Sequence, residues 1–150
     1  MAVLFAACDR DLYYATQRDV DETGWNLAQT LPFDVVIEDT TQLYDVFIDL
    51  RVNVGYDKAN AFLFVNTAFP DGSVAYDTLE CPLADPEGRW YGRRTGRYVD
   101  NRYYLRHNVF FPHPGTYRFD ITHGMRDTNV CGISSVGVIV KRVTINHEKK

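Results

Sequence analysis

A chain of 150 residues that is 45% hydrophobic and 24% charged has the make-up of one globular domain with its own core, which excludes disordered, collagen-like and low-complexity classes. Sixteen Lys and Arg against twenty Asp and Glu give a net charge of −4, so no basic field exists to attract a phosphate backbone, and nucleic acid is not an expected partner. No apolar run approaches the ~20 residues that a helix needs to cross a bilayer.

The first eight residues, Met1-Ala2-Val3-Leu4-Phe5-Ala6-Ala7-Cys8, are apolar and end in two small residues and a cysteine before an abrupt change to Asp9-Arg10-Asp11. Two readings stay open here. In one, the run is the tail of a bacterial lipoprotein signal: residues 1–7 are removed, Cys8 carries lipid, and residues 8–23 form a tether to a single domain over 24–150. The lack of a charged segment before Val3, and Phe5 where a smaller residue is usual, depart from that pattern. In the other, the run is a short leader with an incidental cysteine.

Strand signals follow in chain order. Pro32 to Glu38 is the first. Leu43 to Val52 then sets Tyr44, Val46, Ile48, Leu50 and Val52 on one face and Asp45, Asp49 and Arg51 on the other. Asn60 to Phe69 is nearly continuous in apolar residues, as in a central strand covered on both faces. Phe69-Pro70-Asp71-Gly72-Ser73 supplies a corner proline and a glycine, which predicts a hairpin between 60–69 and the strand Ser73 to Leu79. Asp85-Pro86-Glu87-Gly88 suits a turn, Val99 to Leu105 a strand, and Pro114-Gly115 a turn ahead of a half-buried strand from Thr116 to Thr122. Val136 to Ile145 completes the set, losing its alternation near Lys141, where a bulge is expected. The best helical candidate, Asp11 to Arg18, is short and polar. The expected fold is therefore all-β, a jelly-roll-like sandwich of two antiparallel sheets with little helix.

Signatures of catalysis are scarce. Ser73, Ser134 and Ser135 sit outside any glycine elbow, and His107, His113, His123 and His147 lack ligand spacing. Asp77, Glu80, Asp85 and Glu87 crowd one stretch and read as solvated strand and turn charges; no calcium-loop pattern includes them. The sequence thus points to no catalytic residue, no metal and no cofactor. If Cys8 is lipidated, Cys81 and Cys131 remain, an even count that permits one disulfide; independent core positions are the alternative.

Several segments together resemble one family. Asp39-Thr40-Thr41-Gln42-Leu43-Tyr44-Asp45-Val46-Phe47-Ile48-Asp49-Leu50-Arg51, then Asn60 with Phe62-Leu63-Phe64-Val65, resemble the GldH gliding-motility lipoproteins of Bacteroidota. Asp77-Thr78-Leu79-Glu80-Cys81-Pro82-Leu83-Ala84-Asp85, Gly88 with Trp90 and Gly92, and Pro114 to Phe119 continue the series in order. His123-Gly124-Met125-Arg126, Gly132-Ile133 and Val136-Gly137 close it. Cysteine is not expected in this family at 81 or 131, so any disulfide is local to this chain.

The resemblance implies a non-enzymatic lipoprotein of the cell envelope, anchored at the outer membrane through Cys8. It also implies association with other envelope proteins of the gliding and type IX secretion machinery. No catalytic residue carries over. A different class of reading is a carbohydrate-binding module, with Trp90, Tyr91, Tyr98, Tyr103 and Tyr104 offering flat rings beside Arg93, Arg94 and Arg97; the competing reading packs those rings into the core or over a loop.

Overall fold

Period-two alternation divides the strands between core and solvent, and the computed structural model, which describes residues 10–144, shows the division directly. The strands are β1 (Leu12–Asp19), β2 (Trp25–Asn26), β3 (Leu31–Ile37), β4 (Tyr44–Asn53), β5 (Asn60–Ala68) and β6 (Val74–Pro82). After them come β7 (Arg93–Thr95), β8 (Tyr98–Val109), β9 (Gly115–His123), β10 (Asn129–Val130) and β11 (Ile133–Arg142). No helix occurs among the described residues. In β4, Tyr44, Val46, Ile48, Leu50 and Val52 are all buried, the face the alternation assigns to the core.

One sheet has the order β1-β11-β4-β8-β7 and the other β3-β9-β5-β6, with a small β10-β2 pair beside them; every pairing is antiparallel. The partners nest: β1 with β11, β3 with β9, β4 with β8, β5 with β6. That is one long ribbon folded over on itself, the arrangement of a jelly roll. The core between the sheets holds Trp25, Phe33, Leu63, Tyr117, Phe119, Ile121 and Val138, among others. Side chains stitch both open sides. On one, the Tyr13 hydroxyl donates to the Val36 carbonyl and the Arg18 guanidinium to the Pro32 carbonyl. On the other, the Tyr103 hydroxyl donates to the Pro82 carbonyl at 2.7 Å and Arg106 pairs with Asp77.

The expected hairpin is present: Gly72 has φ 89° and its N–H meets the Phe69 carbonyl at 3.0 Å, while Phe69 N–H meets the Ser73 carbonyl at 2.8 Å. Three findings differ from the sequence reading. Leu12–Asp19, which falls in the stretch read as tether and overlaps the helical candidate, is strand β1; an edge strand packs one face lightly, so its polar composition hides its alternation. Near Lys141 the irregularity exists, but the extra residue is Tyr13 on β1, and the break within β11 itself falls at Ser134. Finally, β5 is central in its sheet but covered on only one face: Phe64 remains 41% exposed.

The two ends of the sandwich differ in content. Residues 10–12, 38–43, 69–73, 108–114 and 142–144 gather at the near end, where the strand β4 begins. Residues 54–59, 83–97 and 124–132 gather at the far end, and the ten residues of β4 separate the two by about 30 Å.

Candidate functional site

The outer face of the four-stranded sheet carries the most unusual surface. Phe62 and Phe64 on β5 lie beside Thr78 on β6, since Phe64 is registered opposite Thr78 and Thr122. The chain leaving β9 crosses the end of this face as Gly124-Met125-Arg126-Asp127, closing a groove of about 490 Å³. Local chemistry fixes each part. His123 is fully buried, edge-on to Trp25 at 5.5 Å; its Nδ1 accepts the Met125 N–H at 3.3 Å and its Nε2 lies 3.2 Å from the Thr128 carbonyl. That clamp directs Met125 back onto β5, where its sulfur accepts the Phe62 N–H at 3.2 Å. Gly124 N–H donates to the Phe62 carbonyl, and the ring of Phe64 lies so close over Gly124 that a Cβ there would stand 3.0 Å from the ring.

The rim is charged but uneven. Lys58 is held by Asp127 at 3.4 Å, whereas Arg126 is exposed and has no side-chain partner among the described residues. Exposed Tyr76 and Val74 extend the face along β6. The arrangement offers apolar rings, a polarisable thioether and one unpaired guanidinium, a composition suited to contact rather than to bond-making.

The outer face of the five-stranded sheet is built differently. Arg51 pairs with Asp100 at 2.7 Å and Arg102 with Asp49 at 2.7 Å, each pair directly opposite in the β4–β8 register. Gln17 donates to the Ser135 hydroxyl at 2.9 Å beside them, and the Phe47 and Tyr104 rings stack at 4.6 Å. Within the two ion pairs the charges neutralise one another.

The residues singled out from the sequence are dispersed. Cys8 lies outside the described residues. Tyr103 and Tyr104, adjacent in β8, point to opposite faces: Tyr103 packs against the core and Tyr104 stands outside beside Phe47. Tyr98 lies under the Arg51 and Arg97 guanidiniums at 5.4 and 5.2 Å. Trp90 bridges to Ala84 and packs against the core, and Tyr91 next to it is exposed. The five rings are not brought together. Cys81 and Cys131 are both unpaired: Cys81 is buried on β6, its thiol pushed up to about 12 chiefly by that burial, and Cys131 is exposed with its sulfur 3.1 Å from the Thr23 carbonyl.

Ser73, Ser135, Asp77, Asp85 and Glu87 have structural partners. Ser73 donates to Asp71, Asp77 meets Arg106, and Asp85 and Glu87 meet Arg89. Among the described residues no three His, Cys, Asp or Glu side chains are grouped to hold a metal. The groove itself was missed by sequence reasoning. Its signal was the surplus of apolar residues in Phe62-Leu63-Phe64-Val65, which exceeds what one buried face requires.

Comparison with known proteins places the chain. The pattern of the GldH lipoprotein family matches residues 12–140. The chain belongs to the GldH lipoprotein family. A gliding motility lipoprotein GldH homolog of Christiangramia forsetii is 31% identical over 147 residues, covering 93% of this chain and 90% of that protein. Gliding motility lipoprotein GldH of Flavobacterium johnsoniae is 28% identical over 148 residues, covering 94% and 91%. Among solved structures, an uncharacterized protein of Listeria monocytogenes aligns at 14% identity and TM-score 0.46, and dimeric latent PorU of Porphyromonas gingivalis at 10% and 0.41. Those alignments cover 87% and 88% of this chain but only 11% and 13% of the larger chains. Within the GldH-like segments, Phe62 and Phe64, Thr78, and Gly124 to Arg126 line the groove.

Proposed function

We propose that this chain is a non-catalytic, lipid-anchored part of the gliding and type IX secretion machinery, held at the outer membrane by Cys8 and acting through contacts with other envelope proteins. The observation that carries the reading is the groove of Phe62, Phe64 and Met125. A folded domain does not gain stability by leaving Phe64 exposed beside half-buried Phe62 and Met125 on a sheet face; such a patch stabilises a complex instead. Its occupant is an envelope protein that presents an apolar side chain beside a carboxylate, because Arg126 is the rim charge left without a partner. Family membership supports the anchor and the envelope setting.

The test is genetic. In a gliding host lacking its own copy, the wild-type gene should restore surface spreading and secretion of type IX cargo. Cys8→Ala should fold yet leave the membrane fraction and restore neither. Phe64→Ala should stay anchored and restore both poorly, and Arg126→Glu should be rescued by a compensating acidic-to-basic change in a partner. Normal spreading and secretion in a clean deletion, with no paralogue present, would refute the assignment.

A further inference from the structure

We infer that the near end of the sandwich, with Phe110 at its tip, lies on the lipid surface, so that the domain stands upright and presents its groove away from the membrane. The inference rests on Cys8 carrying the lipid, and its geometry follows from how short the slack is. The chain is already held at Asp11, whose carbonyl accepts the Arg142 N–H at 2.7 Å and whose carboxylate accepts the Thr144 hydroxyl at 2.7 Å. Leu12 then opens β1 opposite Lys141. Covalent geometry allows at most about 3.6 Å per residue, so Cys8 cannot lie farther than about 14 Å from Leu12. The anchor therefore draws the near end, and no other, to the bilayer.

That end is equipped for the contact. Phe110 is 58% exposed although the next residue, Phe111, is buried against Tyr44 and Tyr117 with ring centroids 5.4 and 4.6 Å away. The buried ring fixes the loop and holds its neighbour outward. Phe110 borders a depression of about 400 Å³ shared with Asp11, Gln42 and Arg142, which places it beside the strand that leads to the anchor. Exposed Leu12 and Val74 stand at the same end. Arg142, stacked over the Tyr13 ring at 4.9 Å and lining the same depression as Phe110, puts a cation beside the aromatic tip. An aromatic tip beside a short acyl tether adds a second, weaker hold, and two holds fix orientation where one only fixes location.

The other end answers this placement. The groove runs from the middle of β5 toward its start, with Phe64 and Phe62 about 13 and 20 Å along the strand from Ala68 at the near end. A partner approaching from the aqueous side meets it unobstructed.

The experiment uses the lipidated full chain in vesicles of phosphatidylethanolamine and phosphatidylglycerol containing doxyl-labelled lipid. Phe110→Trp places a reporter at the near end and Val54→Trp an exposed one at the far end; the native Trp25 and Trp90 give the baseline. Phe110→Trp should show a blue-shifted emission and loss of fluorescence beyond the parent chain, and Val54→Trp should show neither. A chain that floats with the vesicles but quenches equally at both positions, or at neither, overturns the upright placement. A wild-type chain that does not float at all sinks the anchor reading instead, so the two failures are distinguishable.

Discussion

Gly132 and Gly72 both hold a positive φ, at 95° and 89°, but only one of them is crowded, and the difference between their alanine substitutions measures what the crowding is worth. A Cβ on Gly72 would meet nothing within 4 Å, whereas one on Gly132 would stand 3.0 Å from the Cα of Tyr56 and 3.1 Å from its Cβ. Gly132 cannot retreat, because its N–H is bound to the Glu22 carbonyl and its carbonyl to the Asn53 N–H, both at 2.8 Å. Placing alanine at positive φ costs about 1–2 kcal/mol in either case, and the gain from a stiffer unfolded chain, about 0.4–1 kcal/mol, is common to both. The contact with Tyr56 backbone adds about 1–3 kcal/mol at Gly132 alone, the usual cost of overpacking. Urea unfolding followed by circular dichroism should therefore place Gly132→Ala below Gly72→Ala by that margin, or by about 2–4 °C in melting temperature per kcal/mol for a domain of this size. Equal destabilisation of the two variants would show that the Tyr56 contact relaxes freely and that the reasoning is wrong. Tyr56 is buried with its hydroxyl on the Asn60 carbonyl at the start of β5, so a shift there would also reach the groove.

Two further outcomes follow from chemistry at single side chains. In a Cys8→Ala chain, one thiol, Cys131, should react rapidly with a disulfide reagent, and Cys81 should react only on unfolding, since a pKa of about 12 leaves roughly one thiolate in ten thousand near pH 8; equal labelling of both in the native state would contradict the buried placement. Asp21, Asp39 and Asp71 each accept a hydroxyl and a backbone N–H from the residue two positions on, and Asp85 accepts chiefly the Arg89 N–H, which holds all four carboxyls below their ordinary value. Groups with depressed folded pKa values give stability that is complete above the unfolded value of about 3.9 and is lost as pH falls through the folded ones. The urea midpoint should therefore drop below about pH 4, less steeply in Asp71→Asn, and a flat midpoint down to about pH 2.5 would refute this.

Where burial is one-sided and complete, the sequence was legible. Strand β4 shows this: every second side chain is buried, so its composition alternates and its face can be read without a structure. The same holds for β9, and the glycine and proline at 70–72 announce their hairpin because few residues tolerate that backbone. Legibility failed at edges. In β1 only a lightly packed face constrains the residues, and Thr16, Gln17 and Arg18 satisfy a strand without displaying one. The short strands β2 and β10 are set by pairing with each other about a hundred residues apart, information that no local window contains, whereas β7 is a hairpin with β8 through Gly96 that is too short to show a period.

The groove was hidden for a different reason. A run such as Phe62-Leu63-Phe64-Val65 has two physical explanations, burial on both faces or burial on one and exposure of the other to a partner, and composition is identical in the two cases. What separates them is whether a second layer covers β5, and the chain crosses only the end of that face, through Gly124 and Met125. Aromatic residues from 90 to 104 posed the converse problem. Their density suggests a platform, but strand geometry sends Tyr103 and Tyr104 to opposite sides, and the loop at Trp90 folds its ring back onto the core. Density along the chain says how much apolar surface there is; only pairing and layering say which of it is left for a partner, and here it is the outer face of β5 from its middle to the end away from the residues that lead to Cys8.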